Sequence, residues 1–82
     1  MKSILTNKRI LITGGTGSIG ESLVKRAITD KAKSIKIFSN DENGLYELES
    51  LLGKQKNLDF IIGDIRNENT VKTITKKTDI IF

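Results

Sequence analysis

Apolar residues recur along the chain with two periods, and the two alternate. "KRILIT" at 8–13 is a β-branched run of strand length, after which Ile19, Leu23, Val24, Ala27 and Ile28 return at the spacing of one helix face. "SIKIFS" at 34–39 reads as a second strand. From Asp41 to Leu52, Leu45, Leu48, Leu51 and Leu52 mark a second amphipathic helix, which Gly53 ends. "LDFIIGD" at 58–64 predicts a third strand, Asn67 to Thr75 a short third helix, and "TDIIF" at 78–82 the start of a fourth strand. Strand and helix in strict alternation predict an α/β fold built on a parallel sheet with right-handed crossovers.

Between the first strand and the first helix lies "TGGTGSIG" at 13–20. Two glycine spacings coexist there, Gly15-x-Gly17-x-x-Gly20 and Gly14-x-x-Gly17-x-x-Gly20. Both describe a strand turning sharply into a helix whose first amides face a pyrophosphate. A Cβ would hold such a ligand away from the backbone, and one residue of the turn needs a positive φ. The strand before and the helix after supply the context that the bare spacing lacks. A nucleotide-hydrolysing phosphate loop is excluded, because Glu21 stands where that loop needs its lysine. Ser18-x-x-Glu21 also reads as a capping box, in which Ser18 and Glu21 would satisfy the helix amides.

Composition narrows the chemistry. At 82 residues the chain is one small domain, 1–82, and its 37% hydrophobic and 29% charged residues are ordinary for a soluble one. It has no cysteine and no histidine, so it lacks disulfides, a thiolate nucleophile and the commonest metal ligand and proton shuttle. Asn40-Asp41-Glu42-Asn43-Gly44 lacks the closing bidentate acid of a calcium loop, so no metal is expected. The net charge of +4 comes from interleaved residues, 14 basic and 10 acidic, which gives no concentrated face for nucleic acid. No apolar run is long enough for a signal peptide or membrane span, and the expected location is cytoplasmic.

"ILITGGTGSIGESLVKRAI", "IKIFSNDENGLYELES" and "DFIIGDIRNENTV" together resemble the start of the extended short-chain dehydrogenase/reductase family. Within it they most resemble the CapD-type polysaccharide biosynthesis proteins, the UDP-N-acetylglucosamine 4,6-dehydratase and epimerase group. The resemblance runs from Arg9 to Phe82; the pairing of "FSNDEN" with "IGDIRN" carries the narrower assignment. It implies a Rossmann-like sheet of order 3-2-1-4 that binds NAD or NADP. It would put Gly14, Thr16, Gly17, Ser18, Ile19 and Gly20 around the cofactor pyrophosphate. Asp64 and Ile65 would meet the adenine, the carboxylate accepting from its exocyclic amine. Asp64 also reads as a plain strand-end turn residue.

Ser39, Asn40 and Asp41 fall where the adenosine ribose is read. Ser39 aligns with the acid of NAD-specific relatives, and losing that carboxylate leans slightly towards NADP. Asn40, however, replaces the arginine of the dehydratases' Ser-Arg-Asp and cannot neutralise a 2′-phosphate. Ser39 or Asp41 also suits a helix N-cap.

The family's Tyr-x-x-x-Lys pair is missing: the one tyrosine, Tyr46, is followed four residues on by Ser50. The expectation is therefore the cofactor-binding N-terminal part of a nucleotide-sugar 4,6-dehydratase or epimerase, inactive alone, whose UDP-sugar substrate belongs to the full-length parent. Other NAD(P)-dependent nucleotide-sugar epimerases or reductases, and a non-catalytic nucleotide-sensing module, remain as alternatives. Ile80-Ile81-Phe82 would form an uncovered apolar edge, so homo-oligomers or partial disorder are expected.

Overall fold

The computed structural model describes residues 4–14, 16–53 and 55–82; Gly15 of the glycine motif lies outside the described residues. The elements are β1 (Arg9–Thr13), α1 (Ser18–Thr29), β2 (Ser34–Ser39), α2 (Glu42–Leu52), β3 (Leu58–Ile62), α3 (Glu68–Thr75) and β4 (Ile80–Ile81). All strand pairs are parallel and the sheet runs β3-β2-β1-β4, a Rossmann-like α/β arrangement.

β1 lies between two strands, and helices cover its side chains on both faces. Ile10, Leu11 and Ile12 are accordingly all buried, the near-continuous apolar run expected of an inner parallel strand. Alternation along the strands sorts the core into two layers. Ile10, Ile12, Ile35, Ile37 and Leu58 meet Val24 and Ala27 of α1 and Leu45 and Leu48 of α2. On the other face a smaller cluster joins Leu11 and Phe38 to Ile74 of α3. Right-handed crossovers explain the division: the chain steps outwards from β1 to β3, then returns across the sheet to β4, which places α3 on the opposite face.

Helix starts follow the side chains at their caps. The Asp41 carboxylate accepts from the Gly44 amide at 3.0 Å and begins α2, while the Asn67 side chain accepts from the Thr70 amide at 3.0 Å and begins α3. α1 differs from expectation. Its N-cap is Gly17, no side chain caps it, and the Ser18–Glu21 capping box does not form. Ser18 is already the first helical residue, its carbonyl accepting from the Ser22 hydroxyl at 3.1 Å, and Glu21 pairs one turn onwards with Lys25 at 3.1 Å. Two positions of the apolar stripes are also exposed. Ile19, 81% accessible, lies in the first turn of α1, and Leu51, 61% accessible, lies at the margin of the Leu45–Leu48–Leu52 stripe.

β4 pairs with β1 through Ile80 and Ile81, and Phe82 continues the ladder by donating to the Leu11 carbonyl at 2.9 Å. Ile81 and Phe82 are exposed along this edge. The starts of the same two strands are tied by Arg9, whose backbone amide donates to Asp79 at 2.8 Å and whose guanidinium does so at 3.2 Å. That contact holds the Asp79 carboxyl below the usual carboxylate range.

The end of α1 stores strain. The Ala32 amide donates to the Ala27 carbonyl at 3.0 Å and the Lys31 amide to the Ile28 carbonyl at 3.1 Å, the two bonds of a Schellman motif. Its left-handed position is filled by Lys31 at φ 58°, where glycine is the usual residue. Lys31→Gly is expected to stabilise the chain by about 1 kcal/mol. The measurement is the urea midpoint; an unchanged or lower midpoint would refute the assignment of strain.

Candidate functional site

A parallel sheet brings the carboxyl ends of its strands to one edge, and the order reversal between β1 and β4 opens a crevice there. Gly14 follows β1 and extends its pairing by one bond, its amide donating to the Phe38 carbonyl at 2.8 Å. At φ 65° it then turns the chain over the sheet, a conformation that favours glycine. Gly17 poses a different question. Its φ of −81° suits any residue, and a Cβ there would meet no atom within 4 Å. Neither backbone nor packing among the described residues requires a glycine. What its absent side chain leaves is open space over the uncapped first amides of α1, the positive end of that helix.

The end of β2 is organised by Ser39 and Asp41. Ser39 is buried, and its hydroxyl accepts from the Asp41 amide at 3.0 Å. Besides capping α2, the Asp41 carboxylate accepts from the Thr16 hydroxyl at 3.4 Å, joining the glycine loop to the start of α2. Gly44 permits this approach, since a Cβ there would sit 2.8 Å from the Thr16 Cβ and collide with the Asp41 carboxyl.

At the end of β3, Gly63 donates to the Ser39 carbonyl at 3.0 Å, and a Cβ on it would lie 2.8 Å from the ring of Phe38. Asp64 forms the turn that follows: its carbonyl accepts from the Asn67 amide at 2.9 Å and its carboxylate from the Arg66 amide at 2.8 Å. The Arg66 guanidinium also donates to that carboxylate, at 2.6 Å through Nη2 and 3.0 Å through Nε. Hydrogen bonds from Arg66 lower the Asp64 pKa to about 2.

These ends enclose a cavity of about 280 Å3 lined by Thr13, Gly14, Phe38, Ser39, Asn40, Gly63 and Ile65. Of the residues singled out from the sequence, Gly14, Ser39, Asn40 and Ile65 meet there. Thr16 and Asp41 adjoin through Ser39, and Gly17, Ser18 and Ile19 open α1 with exposed surfaces, whereas Gly20 is buried. Asp64 does not line the cavity, its carboxylate being turned to Arg66. Sequence reasoning missed Phe38, Gly63 and Gly44. The one available signal was glycine at a strand end and in a helix's first turn. A larger cavity of about 490 Å3 lies beside Glu49, Lys56 and Asp59, at the opposite end of β3. It has neither a glycine turn nor a helix start, so the chemistry favours the smaller one.

Tyr46 is exposed on α2. Among the described residues no group of acidic side chains could hold a metal ion, and no helix is long and apolar enough to cross a membrane.

A family model described as "Polysaccharide biosynthesis protein" matches residues 10–82. The chain is 40% identical over 76 residues to an uncharacterized membrane protein of Methanocaldococcus jannaschii, covering 93% of this chain and 22% of that one. It is 36% identical over 83 residues to the UDP-glucose 4-epimerase of Rickettsia bellii, covering 96% of this chain and 24% of the epimerase. The chain thus spans about a quarter of the length of the curated relatives it matches. Among solved structures, Pen from Bacillus thuringiensis superposes with a TM-score of 0.89 at 33% identity, over 96% of this chain and 24% of that one. WbmF of Bordetella bronchiseptica, solved with NAD+, shares the fold at a TM-score of 0.76 and 19% identity, over 98% of this chain and 23% of that one. WbmF has also been solved with NAD+ and UDP.

The Asp64–Arg66 contact has a signed consequence. A carboxyl whose folded pKa lies below its unfolded value adds stability that is present above the unfolded pKa of 3.8 and lost as pH falls through about 2. NMR titration of the Asp64 carboxyl carbon is expected to turn near 2 and, in Arg66→Gln, to move back towards 3.8. A wild-type midpoint at the ordinary value would show that the contact does not persist in solution.

Proposed function

Because the chain belongs to the polysaccharide biosynthesis protein family, we propose that it forms the region of a nucleotide-sugar epimerase or dehydratase that holds a nicotinamide dinucleotide. The observation that carries this reading is Gly17: a glycine that its own fold does not need, over helix amides that no side chain caps. Both features suit a pyrophosphate laid against the backbone. In this reading Gly14, Thr16, Gly17, Ser18 and Ile19 surround the phosphates, and Gly20 lets α1 pack closely on the sheet. The cavity lined by Phe38 takes the adenosine, with Ser39, Asn40 and the adjoining Asp41 on the ribose side and Ile65, with Asp64 next to it in the chain, on the base side.

When bound, such a cofactor takes and returns a hydride at a sugar carbon. The residues of this chain bind and orient its adenosine half. The epimerase named in the comparison and the WbmF complex with UDP support a UDP-sugar as substrate of the whole protein. The narrower CapD-type 4,6-dehydratase and epimerase assignment rests on the resemblance of "FSNDEN" paired with "IGDIRN".

Between the two dinucleotides, Ser39 lacks the carboxylate that would repel a 2′-phosphate, the reason for the slight lean to NADP. The geometry adds an opposing charge, since the Asp41 carboxylate reaches Thr16 and no lysine or arginine lines the cavity among the described residues. A dianion there would adjoin the Asp41 carboxylate with no cation lining the cavity to offset it, which favours NAD.

Calorimetric titration is expected to give tighter binding of NADH than of NADPH. Gly17→Ala should weaken NADH roughly tenfold or more while changing stability by less than about 0.5 kcal/mol. Undiminished NADH binding by that variant would remove the main support for the site, and tighter NADPH binding would return the choice to NADP.

A further inference from the structure

The Asp64 carboxylate is engaged at both oxygens by one residue, Arg66. A carboxylate offers about four lone-pair sites, and Arg66 makes four contacts to it from three N–H groups, the single Nε hydrogen being shared between the two oxygens. Oδ1 accepts from the Arg66 amide at 2.8 Å and from Nε at 3.0 Å; Oδ2 accepts from Nε at 3.0 Å and from Nη2 at 2.6 Å. The amide contact belongs to the turn and stays with it. The other three come from a guanidinium whose side chain is 87% exposed and which is free to swing into water. Asp64 itself sits between Gly63 and Ile65, both of which line the cavity at the strand ends.

We propose that Arg66 is a gate beside this cavity, its guanidinium occupying sites on the adjoining Asp64 carboxylate that the amine of a purine held in the cavity would take. The proposal rests on the dinucleotide reading above and adds to it a residue that tunes which base is held. Adenine presents an exocyclic amine, a donor that competes with the guanidinium for Asp64. Hypoxanthine presents a carbonyl oxygen at the same place, which has nothing to give a carboxylate but can accept from Arg66 without displacing it. The paired gate therefore blunts discrimination between the two bases, and removing Arg66 sharpens it. The competition is modest because exposed ion pairs are weak.

The test is calorimetry of wild type, Arg66→Gln and Arg66→Lys with NADH and with reduced nicotinamide hypoxanthine dinucleotide. In Arg66→Gln, NADH is expected to bind about two- to fivefold more tightly, with no gain for the hypoxanthine analogue. The expected sign is informative, since removing a positive charge near an anionic ligand would by itself weaken both. Arg66→Lys keeps the charge but cannot form the planar fork, and should fall between the two. Equal or weaker NADH binding by Arg66→Gln, or the same gain for both dinucleotides, overturns the gate. Binding of NADH by wild type with no selective gain in the variant would sink the gate alone. Failure of wild type and both variants to bind either dinucleotide would remove the site reading as well.

Discussion

β1 has no free edge, and most of the molecule follows from that. Its backbone is taken up on one side by β2 and on the other by β4, and its three central side chains are buried between helical layers. Because the pairing is parallel, every return to the sheet needs a crossover, and the fixed hand of crossovers decides which face each helix covers. Two crossovers outwards and one back leave the carboxyl ends of β1, β2 and β3 on one rim. A crevice at that rim is a by-product of connectivity before any side chain is considered.

What makes the rim chemically specific is a set of short links between segments distant in sequence. Thr16 reaches Asp41, Asp41 is held by Ser39, and the Ser39 carbonyl receives Gly63. The glycine loop, the start of α2 and the end of β3 are thereby joined by hydrogen bonds in one frame. Glycines enter where two of these segments approach: Gly44 under Thr16 and Gly63 under the ring of Phe38. Gly17, like Gly14, has only open space where a Cβ would stand, and unlike Gly14 it has an ordinary negative φ. The negative groups of the frame, Asp41 and Asp64, are each already bonded, one to a helix amide and the other to Arg66.

The alternation of strands and helices was legible because burial on two faces forces continuous apolar runs such as Ile10 to Ile12, while one-sided helices space their leucines by turns. The glycine spacing located the turn, and Asp41 was readable as one of two candidate caps, whereas Asn67, read as the first residue of α3, proves to be its cap. Ser18 shows where local pattern fails. Capping box and glycine cradle share the same letters, and only the point at which β1 releases the chain decides that Gly17, one residue earlier, takes the cap. Lys31 fails differently, since its left-handed φ is imposed by the need to return from α1 to β2 and leaves no mark in side-chain chemistry. Phe38 carried only the signal of an apolar strand residue, because its role depends on a glycine 25 positions away coming to rest against it.

By itself the sequence determined the order and kind of the elements, the excluded chemistries and the place of the glycine turn, since each depends on side-chain type and spacing within a few residues. Which residues stand together at the rim was decided only by the tertiary structure. The Thr16–Asp41 link spans 25 positions, and the neighbours across the cavity, Gly14, Ser39 and Ile65, come from the ends of three separate strands. Even the Asp64–Arg66 contact, local in sequence, acquires its meaning from the cavity that Gly63 and Ile65 line on either side. The physical reason is that sheet register and crossover hand, properties of the whole chain, set those neighbours, whereas propensity and periodicity act only along it.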